Sequence, residues 1–464
     1  MRKKNLIVVV LLCLFSFVIY AESIDIEIRS FTTASSADTS PFWISSNDYG
    51  VIGGDPYQIG STLSIYQDIP LTEKIKIDYS VVGALNSTEE YTGRFIEGFL
   101  RFKWKKFYTY AGRMKQTIGS TYVPLSVGSM AISPNATPIP RVAAGLSDFT
   151  TVPYTHGLLE VKGMLGHGWL GESRYVEVPL LHEKNAFIRV GLPEYLQFHT
   201  GLIHEAVWAG TSPVYGDLPS SFSDYVKIFF NQAGGDDSPA GEADYRLGDS
   251  KGVWDFGVNT LLFDYKLFVY YQHFFEDNTG FRLKNGEDGL LGVLIKPPSY
   301  FVSSVLYEFL YTKHQSGDNP WYELGGRDNY YNHSIYRSGW TYLNDVLGNP
   351  LFGTTGSDEN IRFNNNRIVA HHIGVEGHMS PSLTYKLLAT YSKNYGTYPD
   401  RTYEEAGGLD QYSFLVQIRK EGLFNQSSLA GTVGIGVDVG ELREDNIGVL
   451  LEGTWSGSFD IFNK

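Results

Sequence analysis

Residues 411–440 read QYSFLVQIRKEGLFNQSSLAGTVGIGVDVG. Tyr412, Phe414, Val416 and Ile418 take every second position, with Gln411, Ser413, Gln417 and Arg419 beside them. After a short polar break the pattern resumes, Val433, Ile435, Val437 and Val439 alternating with Gly434, Gly436, Asp438 and Gly440. Period two is the mark of a strand whose two faces meet unlike surroundings. Working outward, Ile24, Ile26 and Ile28 alternate with Asp25, Glu27 and Arg29. Ile75, Ile77, Tyr79 and Val81 alternate with Lys74, Lys76, Asp78 and Ser80, and Leu100, Phe102 and Trp104 with Arg101 and Lys103. Tyr385, Leu387, Ala389 and Tyr391 share one face while Lys386 points away. The fold class is all-β and antiparallel.

The composition agrees. Of 464 residues, 15% are aromatic, 19% charged and 50 are glycine, glycine averaging about 7% elsewhere. Disorder is excluded by the aromatics. A helical bundle is disfavoured because Gly, Tyr and Phe are poor helix formers.

Residues 1–21 read MRKKNLIVVVLLCLFSFVIYA: basic Arg2, Lys3 and Lys4, an apolar Leu6–Tyr20, then the small Ala21. This is the pattern of a secretory signal peptide, leaving 22–464 as one domain. Cys13, the single cysteine, lies inside the apolar stretch, so the mature chain is expected to carry no disulfide or thiol chemistry. The formal net charge is −14, and loss of three basic residues makes it more negative. Nucleic acid, which is held by Lys and Arg at phosphates, is not an expected partner. Beyond residue 21 no apolar run reaches the length of a membrane-spanning helix.

Alternation alone suits a soluble sandwich as well as a membrane barrel; loop lengths separate them. Strands read near 24–32, 58–68, 73–86, 92–104, 106–117, 155–165, 194–208, 252–264, 265–276, 288–297, 300–313, 361–379, 382–395, 409–420, 428–440 and 446–459. Connections near 264–265, 297–299 and 380–382 are tight. Those at 118–153, 210–251, 276–287, 314–360 and 396–408 are long. Outer-membrane barrels sort their connections this way, with short periplasmic turns and long extracellular loops. Parity then requires two more strands, placed at 174–181 and 186–190 with a turn at 182–185. The expectation is a transmembrane antiparallel β-barrel of about eighteen strands in the outer membrane of a Gram-negative bacterium. Its partners would be outer-membrane lipid and, during biogenesis, the barrel-assembly machinery. Tyr108, Tyr110, Tyr270, Tyr271, Tyr391 and Tyr395 suit interfacial aromatic girdles.

Several words resemble the capsule-assembly Wzi family in its Bacteroidetes branch. Thr39-Ser40-Pro41-Phe42-Trp43, followed by Ser46-Asn47-Asp48-Tyr49-Gly50, is similar to that family's N-terminal signature. Tyr271–Asp277 with Asp288–Gly292, Gly326–Asn332 with Ser338-Gly339-Trp340 and Gly348–Leu351, and His204–Gly210 continue it in order. The resemblance implies an eighteen-stranded barrel with a lectin-like role toward capsular or other surface polysaccharide. It also implies a plug, yet the helical bundle that fills the enterobacterial members is missing, so a plug must come from elsewhere or be absent.

The densest set suited to sugars lies in 319–342: Trp321, Tyr322, Arg327, Asp328, Tyr330, Tyr331, Tyr336, Arg337 and Trp340. Aromatic faces stack on sugar rings, and Arg pairs with acidic groups. The plainer reading is a loop packed on its own aromatics in the barrel mouth. Residues 220–230, SSFSDYVKIFF, place Phe222, Tyr225, Val226 and Phe229 at helical spacing after a capping Ser, a helix expected to pack inside the mouth. Asp236, Asp237, Glu242, Asp244 and Asp249 lack EF-hand spacing and read as a solvated loop. His182-Glu183 and His204-Glu205 lack the second His of HExxH, and neither GxSxG nor a P-loop occurs. His371 and His372 point to opposite faces of a strand. No enzyme, metal or cofactor is expected. Two alternatives stay open: an unplugged porin-like channel, and an outer-membrane enzyme modifying glycan or lipid with scattered catalytic residues.

Overall fold

The computed structural model describes residues 23–460 without 89–90, 193–194, 236–237, 240–241, 243–245, 277–280, 284–285 and 317–327. Eighteen long strands form the wall. The first nine are β1 Ser23–Ser35, β2 Tyr57–Pro70, β3 Ile75–Ser87, β4 Tyr91–Trp104, β5 Phe107–Arg113, β6 Pro140–Leu146, β7 Leu159–Trp169, β8 Leu180–Leu192 and β9 Leu196–Trp208. The rest are β10 Asp249–Leu262, β11 Tyr265–Phe275, β12 Gly289–Lys296, β13 Ser304–Tyr311, β14 Ile368–Ser380, β15 Leu383–Asn394, β16 Leu409–Glu421, β17 Leu429–Gly440 and β18 Asn446–Asp460. Each pairs antiparallel with its chain neighbours. β1 then pairs with β18 from Ser23↔Asp460 to Ser35↔Gly448. Closure satisfies every wall strand and leaves no free edge.

The alternation maps onto the two faces. Tyr412, Phe414, Val416 and Ile418 are exposed on the outside, as are Val433, Ile435 and Val439. Inside, Asp78 is fully buried and pairs with Arg101 at 2.9 Å and Lys103 at 2.5 Å. An aromatic row runs around the outside on β13–β16. The Tyr307 hydroxyl lies 2.8 Å from His371 Nδ1, and the rings of His371, Tyr391 and Tyr412 follow at 6.4 and 5.0 Å. The girdle expectation fails for Tyr108, Tyr110 and Tyr270, which point into the lumen and are buried in its core. A tyrosine near a strand end is apolar enough for either face.

The strand total holds, but two assignments do not. The segment 118–153 contains β6, a seven-residue strand opening on Pro140 whose small residues carry little alternation. The separate strands at 174–181 and 186–190 are one strand, β8, which runs straight through the expected turn at 182–185. The misreading has a physical cause. His182 and Lys184 occupy positions that should face lipid, so the outward face reads as polar. A segment from elsewhere covers them, as described below.

The connections 71–74, 105–106, 193–195, 263–264 and 381–382 are short and lie at one end, here the turn end, together with the first and last described residues. The other end, the mouth, carries the long segments 36–56, 114–139, 209–248 and 312–367. The described parts of 36–56, 114–139 and 312–367 turn inward and fill the lumen. Among the described residues no helix is long and apolar enough to cross a membrane; the crossing is made by strands.

Candidate functional site

The plug is laid on a course of buried polar side chains projecting from the wall. Backbone of 114–139 is caught at successive strands. Ser120 N–H donates to Asp255 Oδ2 at 2.6 Å, Met130 N–H to Gln272 Oε1 at 2.8 Å, and Val127 N–H to Glu308 Oε2 at 2.7 Å. His372 Nε2 lies 2.6 Å from the Leu125 carbonyl, and the Tyr122 hydroxyl donates to Glu376 at 2.6 Å. Wall groups on β10, β11, β13 and β14 thus satisfy a loop that has no regular structure of its own. Buried backbone groups require such partners.

On this floor lies the segment 36–56 with the short helix α1, Phe42–Ser45. Phe42 N–H donates to Asp438 at 2.8 Å and Trp43 Nε1 to Thr390 at 3.0 Å. Asp48 accepts two bonds of 2.9 Å from Arg29, and the Tyr49 carbonyl accepts from Thr137. Gly50, at φ +67°, leaves no room for a side chain: a Cβ there would lie 2.6 Å from both Arg94 and Asp345.

The residues expected to bind sugar from 319–342 are divided by the structure. Trp321, Tyr322 and Arg327 lie outside the described residues. Asp328, Tyr330, Tyr331, Tyr336 and Trp340 are buried. Their polar atoms are spent on holding this segment in place: the Tyr330 hydroxyl donates to Asp288 at 2.7 Å, Tyr331 to the Met130 carbonyl at 2.6 Å, and Tyr336 to the Ala209 carbonyl at 3.3 Å. Trp340 Nε1 donates to the Ala131 carbonyl at 2.8 Å, and Asp328 accepts from the Ser316 hydroxyl. Arg337 alone of the described set is exposed, its guanidinium 4.7 Å from the centre of the Tyr175 ring.

A polar cleft of about 450 Å³ opens at the mouth above this core. It lies between the α1 segment, the turn of the hairpin Thr341–Tyr342/Asp345–Val346, the strand Arg362–Asn365, and the loops after β15 and β17. Asn135, Asn344, Asp345, Asn364, Asn365, Tyr403 and Arg443 supply its polar lining. Asn135 is held by its bond to the Val346 carbonyl at 3.0 Å, Asn344 by Asp358 at 3.3 Å, and Asn365 by Asn394 at 2.8 Å. Burial pushes the Asp345 carboxyl up to about 6, although Arg94 at 3.4 Å pulls the other way. Arg443 is exposed, 5.0 Å from the centre of the Phe42 ring. Amides, a carboxyl, a phenol and a guanidinium set side by side form a surface for hydroxyl groups and for an anionic sugar. These residues come from loops far apart in the chain. Only the run Phe363-Asn364-Asn365-Asn366 offered a local sign.

The family model for "Capsule assembly protein Wzi" matches residues 31–365. This chain belongs to that family. Wzi of Escherichia coli, an outer-membrane protein involved in group 1 capsule assembly and a carbohydrate-binding β-barrel, superposes with a TM-score of 0.61 at 11% identity. The match covers 94% of this chain and 84% of that one. Two Pseudomonas aeruginosa proteins, OccK5 (OpdH) and OpdQ, superpose at TM-scores of 0.51 with 8% and 10% identity, over 94% of this chain and 98% and 99% of theirs. At such identities these likenesses establish the barrel fold. No curated protein sequence matches the chain. The barrel is of the outer-membrane kind, and the words that resembled the Wzi family fall largely on plug residues: Phe42, Trp43, Tyr330, Tyr331 and Trp340.

Proposed function

We propose that this Wzi-family barrel holds capsular or another surface polysaccharide at its mouth, and that the mouth faces the cell exterior. The observation that carries the reading is the polar cleft standing on a filled lumen. Arg443, Tyr403 and Asn364 are the groups proposed to meet the glycan in it. Arg337 extends the surface at the rim, and Trp321, Tyr322 and Arg327 are proposed as further contacts on their chemistry. Asp328, Tyr330, Tyr331, Tyr336 and Trp340 contribute by holding the plug that shapes the cleft. Residues 1–21 are proposed as the export signal, with the barrel-assembly machinery inserting the chain among outer-membrane lipids.

The same cleft supports binding over catalysis. Asp345 is the one carboxylate among its described lining residues, whereas glycoside hydrolysis commonly uses two. The inward loops also argue against a porin-like channel.

Surface plasmon resonance of purified barrel over immobilised host polysaccharide tests the proposal. Arg443→Ala and Tyr403→Ala are expected to weaken binding about tenfold each, from loss of one charge-assisted bond and one ring contact of roughly 1–2 kcal/mol. Unchanged affinity in the double variant removes the cleft from the account.

A further inference from the structure

Unlike the other three long segments, 209–248 sends a helix to the outer side of the barrel. Ala209 (φ +57°) and Gly210 (φ +89°) reverse the chain at the top of β9, and a Cβ on Gly210 would lie 2.6 Å from the Glu177 carbonyl. The helix α2, Phe222–Phe229, capped by Ser221 and Asp224 in a reciprocal box, then packs against the outside of the wall. Its neighbours show which side. Tyr225 meets Trp208 at 5.7 Å, His182 at 5.5 Å and His167 at 6.1 Å between ring centres; Phe229 meets His182 at 5.4 Å. Lys184 Nζ donates to the Phe229 carbonyl. Leu180, His182, Lys184, His204, Ala206 and Trp208 all share strand parity with Ile188, Val190 and Phe198, which are exposed on the outer face. Contrary to the sequence expectation, the helix lies outside the mouth.

This arrangement resolves the polar outward face of β8. A cation facing lipid costs about 2–4 kcal/mol at the bilayer midplane and falls toward zero at the interface. Tyr225 and Phe229 cover His182, whose ring stands 5.7 Å from that of His204, leaving His182 fully buried and His204 nearly so. The opposite side of α2 is apolar and uncovered: Phe222 is 82% exposed, Phe230 64% and Val226 38%. From Leu196 at the turn end to His204 is eight residues. At about 3.3 Å each and a tilt of about 40°, that is roughly 20 Å along the barrel axis. The apolar band of such barrels is about 25 Å tall, so α2 stands at its upper edge, and Phe198, Ile188 and Val190 continue the apolar surface directly below.

We infer that α2 is a membrane-interface element, with Phe222, Val226 and Phe230 inserted among the acyl chains of the leaflet at the mouth end. The occupant is lipid, because the exposed face is continuous with the lipid-facing wall and lies at interfacial height. Amphipathic helices at this level bury their apolar face into the headgroup–acyl boundary.

The test uses the full chain with Cys13→Ser, carrying Phe222→Cys, Val226→Cys or Phe230→Cys labelled with a nitrobenzoxadiazole dye. Phe198→Cys serves as the lipid-facing reference and Ser357→Cys, on an exposed mouth loop, as the aqueous one. Proteins whose folding is confirmed by heat-dependent gel migration are placed in phosphatidylcholine–phosphatidylglycerol vesicles. The expected result is dithionite reduction at least tenfold slower at 222, 226 and 230 than at 357, with quenching by spin-labelled lipid comparable to that at 198. Reduction as fast as at 357 overturns the inference. So does shielding that appears only at high protein-to-lipid ratio without lipid quenching, which would assign the face to a second copy of the chain.

Discussion

Replacing Trp340 by Ala should loosen the plug while leaving the wall intact. Trp340 is completely buried and makes three kinds of contact. Its ring packs in the lumen core, its Nε1 donates to the Ala131 carbonyl at 2.8 Å, and the Lys251 ammonium stands 5.6 Å from the ring centre. Truncating a buried aromatic costs about 3–5 kcal/mol. At 1.4 kcal/mol per decade, that is roughly a 150- to 4,000-fold rise in the equilibrium for local opening. The loss should not spread, because the strands on either side are held by their own antiparallel ladders and local units open independently. Hydrogen exchange read by mass spectrometry is the assay. Peptides covering 125–136 and 330–352 should exchange faster by about that factor, while peptides from β1, β2, β17 and β18 keep wild-type rates. Equal acceleration in plug and wall would refute the division into rigid wall and separately held plug, and unchanged plug exchange would refute the assignment of Trp340 as its keystone.

Other outcomes follow from single features. Burial pushes the Asp288 carboxyl up to about 6, outweighing the bonds it accepts from Tyr330, Gln315 and His314. The folded state therefore binds more protons than the unfolded between about pH 4 and 6, and stability falls as pH rises through that window, by about 3 kcal/mol in all. Asp288→Asn should abolish this component, visible as a difference in melting midpoint from wild type at pH 6.5 that vanishes at pH 4. Arg141 and Glu183 form a buried ion pair inside the lumen. Glu183→Ala strands the guanidinium and should cost about 3–5 kcal/mol, read by the temperature at which the folded gel band disappears. Gly112 sits at φ +123°, where a Cβ would lie 2.1 Å from the Gly98 carbonyl. Gly112→Ala should therefore slow assembly, measured by the yield of heat-modifiable barrel, whereas Gly453→Ala, with open space around it, should not.

The wall was legible because closure imposes one rule on every strand: apolar outward, polar inward. β16, β17 and β18 obey it on their outer faces, with Leu415 and Leu450 as apolar exceptions inside, and the expected boundaries there agree closely with the structure. The rule failed where a strand's outer face is not lipid. His182 and Lys184 lie under α2, so β8 was split in two and β6 passed over, although the total survived because loop parity constrained it. Single words such as Pro41-Phe42-Trp43 marked the plug, yet where that segment lies depends on wall groups such as Asp438 and Thr390 hundreds of residues away. The cleft was least legible. Asn344, Asn364, Tyr403 and Arg443 meet only after three loops fold over the plug, and of the expected aromatics the described ones, Tyr330, Tyr331, Tyr336 and Trp340, are buried in the core.

The most direct measurement is made on cells. A strain lacking this gene, and the same strain complemented with wild type or with Arg443→Ala/Tyr403→Ala, are assayed for polysaccharide retained on the cell and released to the medium. The account predicts release by the deletion strain, retention restored by wild type, and release again in the cleft variant despite normal barrel levels. Equal retention in all three strains would contradict it.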